Sequence, residues 1–366
     1  MNETLGDALA ELLARLLGGL QALDTAARHL DPQRVATIGT HLAAGAGELA
    51  RALERIEPLE WPTERRDDGL TMLQAARATQ RAMLTFAERS GDPRALFELY
   101  RALRSRHRAH ELLFPLRTEL RPLSDFFSAS KDDAEQQQLF SAAAEERGIG
   151  HVENESQQRG GFSIFNPFPQ DHRGPHPLVV ALHGGSGHGR DALWWWVAAA
   201  RTKGAVVVAP TSLDRTWSLM SPATDGANLL TIVEATRRRL PIDAERILLT
   251  GMSDGGTFSY LLGLQEASPF THLAPISGVL PPLTPQQQKN ARGRRIRLVH
   301  GALDWMFPVD TARTAAAELT ALGADLEYCE VDDLSHTYPT EQNPELLDWL
   351  CGRTESGAAT RDPESD

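Results

Sequence analysis

Over the first part of the chain, leucine recurs at spacings of three and four. Leu9, Leu12, Leu13, Leu16, Leu17 and Leu20 line up as one stripe on a helix. The same texture, rich in Ala, Leu, Arg and Glu, continues to about residue 148, and no stretch of it alternates as a half-buried strand would. The pattern predicts helices near 3–29, 32–56, 67–89, 92–120 and 132–147. Asp31-Pro32 and Asp92-Pro93 each read as an N-cap followed by proline at the first helical position. Pro115 and Pro122 are expected to break or kink the fourth helix, because proline lacks the donor that a helix interior needs.

From about residue 149 the pattern changes. Short β-branched runs are punctuated by Gly and Pro. His151–Glu155 and Gly161–Phe165 read as paired strands. Leu178–Leu182, Ala205–Ala209, Ile247–Thr250, Ile296–His300 and Leu326–Val331 read as buried ones. Helical segments alternate with them near 190–203, 223–240, 254–266, 309–322 and 344–351. Alternation of this kind implies a mostly parallel sheet with helices on both faces, and ligands on such sheets bind at the carboxyl ends of the strands. The chain therefore divides into an all-helical N-terminal region (1–148), an α/β domain (149–351) and a small polar tail (352–366) expected to be disordered.

Composition narrows the function classes. Hydrophobic residues make up 41% of the 366 positions and charged residues 23%, enough for a sizeable core. The net charge of -12 argues against nucleic acid as a partner and against anionic membrane surfaces. The apolar stretch Ala8–Leu23 is interrupted by Glu11, Arg15 and Gly18-Gly19, so neither a signal peptide nor stable membrane insertion is expected. Cys329 and Cys351 are too few for a disulfide framework and read as structural thiols, with a cytoplasmic location as the expectation.

The candidate chemistry lies at the strand ends. The strand ending at Thr250 runs into Gly251-Met252-Ser253-Asp254-Gly255 and then a helix, which is G-x-S-x-G in the context that gives it meaning. A serine needs a base to take its proton, and the base needs an acid to orient it. On this sheet type the chain order is Ser, Asp or Glu, then His. Asp304 lies just past the Ile296–His300 strand. His336 comes after the last strand and is the only histidine after His300, which reads as a support of the acid's loop. Asp332 and Asp333 are rival acids. The loop His183–Gly189 comes after a buried strand and is glycine-rich, so Gly185 is the chosen oxyanion donor, with Gly184 and Ser186 as rivals and the Asp254 amide as the second donor. The loop lacks the Gly-Lys-Ser/Thr ending of a phosphate cradle, and His183 with His188 has no carboxylates beside it to make a metal site.

Taken together, "RGGFSIFNPFP" at 159–169, "LVVALHGGSGHG" at 178–189, "VVVAPTS" at 206–212, "DAERILLTGMSDGG" at 243–256, "LVHGALDWMFPV" at 298–309 and "DLSHTYP" at 332–338 resemble the carboxylesterase/phospholipase and polyhydroxybutyrate-depolymerase-like branch of the α/β-hydrolases. The resemblance covers about residues 149–351. It implies an α/β-hydrolase fold and a serine esterase, a carboxylic ester hydrolase without metal or organic cofactor, working through an acyl-enzyme with Ser253, Asp304 and His336. The bulky Trp305, Met306 and Phe307 after the acid, and the helical region ahead of the domain, depart from the family's common core.

Trp217 and Trp305 are expected to line an apolar pocket, favouring small to medium hydrophobic or aromatic ester substrates over charged ones. Of Trp194-Trp195-Trp196, consecutive on one helix, at least one must face solvent, a ligand or the N-terminal region. The N-terminal stripe needs a partner, and the hydrolase domain, a lid position or a second subunit in a homodimer would each supply one. A peptidase or thioesterase on the same scaffold, and a non-catalytic hydrolase-like binding protein, are the alternative functions. A dienelactone-type enzyme would carry cysteine where Ser253 stands.

Overall fold

A computed structural model of the protein describes residues 4–92, 94–129, 148–168, 172 and 174–353. The chain opens with α1 (Leu5–Arg28), capped by the Thr4 hydroxyl, and continues with α2 (Val35–Ile56), a 3-10 turn (Thr63–Arg65) and α3 (Arg66–Arg89). Shorter pieces come next: α4 (Leu96–Arg104), α5 (His107–Leu113), a 3-10 turn (Phe114–Thr118) and α6 (Arg121–Phe126).

The two Asp-Pro pairs do not cap their helices directly. Asp31 accepts the Gln33 amide at 2.7 Å and Asp92 the Arg94 amide at 2.9 Å, so each closes a tight turn ahead of the helix. The fourth helix is interrupted at Pro115 and Pro122, which open the second 3-10 turn and α6. It is also interrupted at Ser105-Arg106, where no proline stands. There the Ser105 hydroxyl donates to the Ala102 carbonyl and Arg106 Nη1 to the Leu103 carbonyl, both at 2.6 Å, satisfying carbonyls that a continuing helix would have used. The helix expected at 132–147, and the tail from 354, lie outside the described residues.

Eight strands form one sheet in the order β1-β2-β4-β3-β5-β6-β7-β8. They are β1 (Ile149–Val152), β2 (Phe162–Phe165), β3 (His176–Leu182), β4 (Val206–Pro210), β5 (Ile242–Met252), β6 (His272–Ile276), β7 (Arg295–Gly301) and β8 (Asp325–Val331). β1 and β2 pair antiparallel, β2 joins β4 antiparallel, and every other pairing is parallel. The helices between them are α7 (Gly189–Lys203), α8 (Ala223–Arg239), α9 (Asp254–Gly263), α10 (Pro285–Ala291), α11 (Val309–Ala321) and α12 (Asn343–Leu350). Two elements go unread in the sequence pattern. β6 contains Pro275, whose missing donor argues against a central strand, and α10 is announced only by the Thr284/Gln287 capping box.

β3 shows why the central runs are apolar throughout. Val179 and Ala181 join one core with α7 and α12, while Leu178, Val180 and Leu182 join the other with α8, α9 and α11. The N-terminal helices extend the first of these cores. Leu12, Leu16 and Leu20 share it with Trp194, and Trp194 sits edge-on to Phe114 with ring centroids 5.6 Å apart. A second N-terminal cluster gathers Leu23, Leu42, Phe86 and Leu99. The leucine stripe is thus covered within the chain. Among the described residues no helix is long and apolar enough to cross a membrane.

Candidate active site

β5 ends in the middle of the sheet, and Ser253 comes directly after it at φ 58°, ψ -121°. This is a backbone conformation that a non-glycine residue adopts only under constraint. The neighbours supply that constraint. A Cβ on Gly255 would lie 2.6 Å from the His183 carbonyl oxygen, so only glycine lets α9 start this close to the end of β3. The turn lifts the serine side chain out of the sheet at the N-terminus of α9.

Asp304 and His336 stand on the loops after β7 and β8, which are zipped together. The Ala302 amide donates to Val331 and the Leu303 amide to Leu334, at 2.9 and 3.0 Å. His336 Nδ1 lies 2.8 Å from Asp304 Oδ2, and its Nε2 lies 3.0 Å from Ser253 Oγ. All three residues are buried. With Nδ1 donating to the carboxylate, Nε2 is left to accept the serine proton. The other carboxylate oxygen accepts the Met306 and Phe307 amides at 3.0 and 2.8 Å, which fixes the acid's rotamer. His300 Nε2 lies 2.8 Å from the Phe307 carbonyl and braces the same loop. The rival Asp333 faces outward and pairs with Arg28, and Asp332 is exposed.

The loop after β3 closes the other side. The Ser186 amide donates to Arg215 and the Gly187 amide to Gly184, at 2.9 and 3.0 Å, so neither is free to meet a substrate oxygen. Gly184 packs closest to the serine, since a Cβ there would lie 3.4 Å from Ser253 Cβ. A Cβ on Gly185 would meet Asp254 Oδ2 at 2.9 Å. His183 holds the loop through Nδ1 to the Gly184 carbonyl (2.7 Å) and Nε2 to the Ser212 amide (3.1 Å). Burial drives its pKa down to about 3, so the ring stays neutral.

Neither of the two tryptophans expected in the pocket lines it. Trp217 is buried, donates to the His183 carbonyl at 2.7 Å and stacks on Phe258, which makes it a brace for the loop. Trp305 stands behind the lining, its indole against the Tyr100 hydroxyl, and its neighbours Met306 and Phe307 line the cleft. Trp195, stacked on Tyr338 with ring centroids 4.4 Å apart, also faces the cleft.

The cleft above Ser253 has a volume of about 890 Å³, and α4 with its flanks forms a whole wall of it. The Tyr100 hydroxyl donates to the His336 carbonyl at 3.1 Å, and Arg104 Nη1 donates to the Gly185 carbonyl at 3.3 Å. Arg28 chelates Asp333, while the Ser335 amide donates to the Arg28 carbonyl at 2.8 Å and the Ser335 hydroxyl to the Leu30 carbonyl. The helical region therefore holds both the base's loop and the loop facing the serine. Sequence reasoning misses these residues because the contacts span 236 and 81 positions and no local motif marks them. Among the described residues no group of three His, Cys, Asp or Glu is placed to hold a metal ion.

Parts of the chain are similar to known proteins. Residues 227–350, which include Ser253, Asp304 and His336, match the phospholipase/carboxylesterase family model. A curated relative, "Probable feruloyl esterase C" of Aspergillus terreus, is 32% identical over 152 residues, a stretch covering 38% of this chain and 56% of that protein. The match thus spans little more than half of the relative's length. Among solved structures, an acetyl xylan esterase from Aspergillus awamori is 15% identical with a TM-score of 0.46, covering 56% of this chain and 99% of that one. The serine hydrolase FphF of Staphylococcus aureus is 11% identical with a TM-score of 0.45, covering 56% and 97%. The mostly parallel sheet and the strand-to-helix turn between β5 and α9 give the chain an α/β-hydrolase fold, and its residues 227–350 are similar to the phospholipase/carboxylesterase family.

Proposed function

We propose that the protein is a serine-dependent carboxylic ester hydrolase acting on esters of small to medium size with an apolar or aromatic body. The observation that carries this reading is the continuous line from Ser253 Oγ through the His336 ring to Asp304, with hydrogen bonds of 3.0 and 2.8 Å.

His336 Nε2 takes the proton of Ser253 as Oγ attacks the ester carbonyl. The tetrahedral oxyanion is met by the Asp254 amide at the start of α9 and by an amide of Gly184 or Gly185, since Ser186 and Gly187 are already engaged. Collapse breaks the ester C–O bond, and the imidazolium returns its proton to the departing alkoxide. Water then enters, gives a proton to Nε2 and adds to the acyl-serine. The carboxylic acid leaves as Ser253 recovers its proton. Asp304 stays ionised and holds the imidazolium in line. The apolar side chains Phe97, Leu103, Met306 and Phe307 along the cleft suit the ester's hydrocarbon part.

The test is hydrolysis of p-nitrophenyl esters over a series of acyl lengths, wild type against Ser253→Ala. The variant should lose several orders of magnitude in kcat while keeping its melting temperature. A folded wild type that hydrolyses none of the series, or a Ser253→Ala variant as active as wild type, rejects the reading.

A further inference from the structure

Beside the apolar surface, the cleft carries three guanidinium groups, of Arg104, Arg101 and Arg215, that form no ion pair with a carboxylate among the described residues. Arg104 is partly buried in the wall facing the β3 loop, and among the described residues it makes a single 3.3 Å hydrogen bond, to the Gly185 carbonyl. A guanidinium has five donors in a rigid fork, so most of this one's capacity is unused at a site next to the glycines that face Ser253. Burial, the largest influence, lowers the Arg104 pKa. Among nearby charges Asp191 opposes that shift, while Arg101, Arg106 and Arg159 reinforce it.

The other charges sort clearly. Arg106 pairs with Asp24 at 2.7 Å, and Arg159 spends its donors on the Asp214 and Gly187 carbonyls and the Ser212 hydroxyl. Of the cleft's carboxylates, Glu98 pairs with Arg89 and Asp254 accepts the Thr216 hydroxyl at 2.5 Å, while Asp191 lies 3.6 Å from the neutral His107 ring and feels Arg104 as its largest countercharge without forming an ion pair with it. Arg101 and Arg215 stand exposed at the rim, and neither forms an ion pair among the described residues. An unpaired cation in a partly desolvated site costs free energy that a bound anion recovers.

We infer that the substrate is an anionic ester, with an apolar body along Phe97, Met306 and Phe307 and an oxyanion tail, a carboxylate or phosphate, bound by the Arg104 fork with Arg101 and Arg215 at the rim. This rests on the ester hydrolase reading and specifies its substrate class. It departs from the expectation, drawn from the tryptophans, that charged substrates are disfavoured. Arg104 acts as a specificity-determining residue: the tail accepts two of its N–H donors, and no proton moves.

The test compares p-nitrophenyl butyrate with the hydrogen succinate ester and a phosphate-terminated ester of matched length, using the full chain, wild type and Arg104→Gln. Wild type should show a higher kcat/KM for one of the anionic esters, and which one identifies the tail. Arg104→Gln should cost the preferred anionic ester about ten- to a hundredfold more than it costs the butyrate, the range expected for losing a charged hydrogen-bonding partner. Arg104→Lys, which keeps the charge without the fork, should fall between. A wild type that prefers the butyrate overturns the inference while leaving the hydrolase reading intact. So does an equal loss on all esters, which would make Arg104 only a support for Gly185. If no ester is turned over, calorimetric titration of Ser253→Ala with N-phenylsuccinamate against N-phenylbutyramide still decides it, because binding needs no chemistry. Equal affinity for the two amides, or no dependence on Arg104, refutes the anion site.

Discussion

Replacing Asp304 by asparagine changes one atom of the acid, and the hydrogen bonds around that acid dictate the effect. One carboxylate oxygen accepts two backbone amides, from Met306 and Phe307, at 3.0 and 2.8 Å, and the other accepts His336 Nδ1 at 2.8 Å. Two amide donors require an acceptor, so the asparagine carbonyl must face them and its NH2 must face His336. A donor cannot meet the Nδ1 proton. The ring therefore takes the tautomer with Nδ1 unprotonated, and Nε2 then presents a proton to Ser253 Oγ instead of a lone pair. The base is lost although every atom stays near its place. The corresponding substitution in a serine protease triad lowers kcat about 10⁴-fold, and the same loss here is about 5.5 kcal/mol of activation free energy. The assay is kcat on whichever p-nitrophenyl ester wild type hydrolyses best, with a thermal melt alongside. The loss of one charged hydrogen bond should cost roughly 1–3 kcal/mol of stability, leaving the protein folded. A folded Asp304→Asn variant that keeps more than about a hundredth of wild-type kcat would refute the reasoning, because His336 would not then depend on Asp304 for its tautomer.

Two other parts of the structure give further expected outcomes. His183 and His110 are buried with pKa values near 3, and burial holds His107 well below its usual value. These rings stay neutral in the folded protein but protonate near pH 6.5 once unfolded. The unfolded state thus binds more protons between those values: stability is full above pH 6.5 and falls as the pH drops, by roughly 1.4 kcal/mol per pH unit for each ring. Urea unfolding at pH 6.5 and 5.5 should differ by about 3 kcal/mol for the three together, because the full slope is reached only well below pH 6.5, and a difference below about 1 kcal/mol would show that these rings are hydrated. Gly255→Ala would push a methyl group to 2.6 Å from the His183 carbonyl oxygen and 2.7 Å from that of Leu182, so it should cost about 1–3 kcal/mol in urea unfolding and displace the serine turn. An unchanged midpoint would mean that β3 and α9 can move apart freely.

Much of the fold is legible in one dimension, because both periodicities that matter are local. The leucine spacing of α1 and the unbroken apolar run of β3 each reflect a surface buried along its whole length. Where local rules compete, sequence reasoning goes astray. Pro275 hides β6 because a central strand normally needs the donor that proline lacks, and the fourth helix breaks at Ser105 because side chains there satisfy the helix-end carbonyls. The G-x-S-x-G turn, the strand-end position of Asp304 and the lone histidine after His300 point to Ser253, Asp304 and His336, since a parallel sheet delivers each strand's end to the same edge, and the fold sets aside the rivals Asp332 and Asp333.

The surroundings of those three residues depend on the tertiary structure. Trp217 is an apolar residue at the right edge of the sheet, yet its indole N–H finds the His183 carbonyl and turns the ring into the core. Nothing near Tyr100 or Arg104 in sequence marks them for the cleft. They reach it because α4 packs on α1 and α3 while α5 and Phe114 pack on α7, which carries α4 over the end of β5. Local pattern thus determines the strands, the helices and the order of the chemical groups, because each depends on neighbours a few residues away. The wall of the cleft, its charge and the grip on the base's loop are set by packing between segments 81 to 305 residues apart, which only the folded chain brings together.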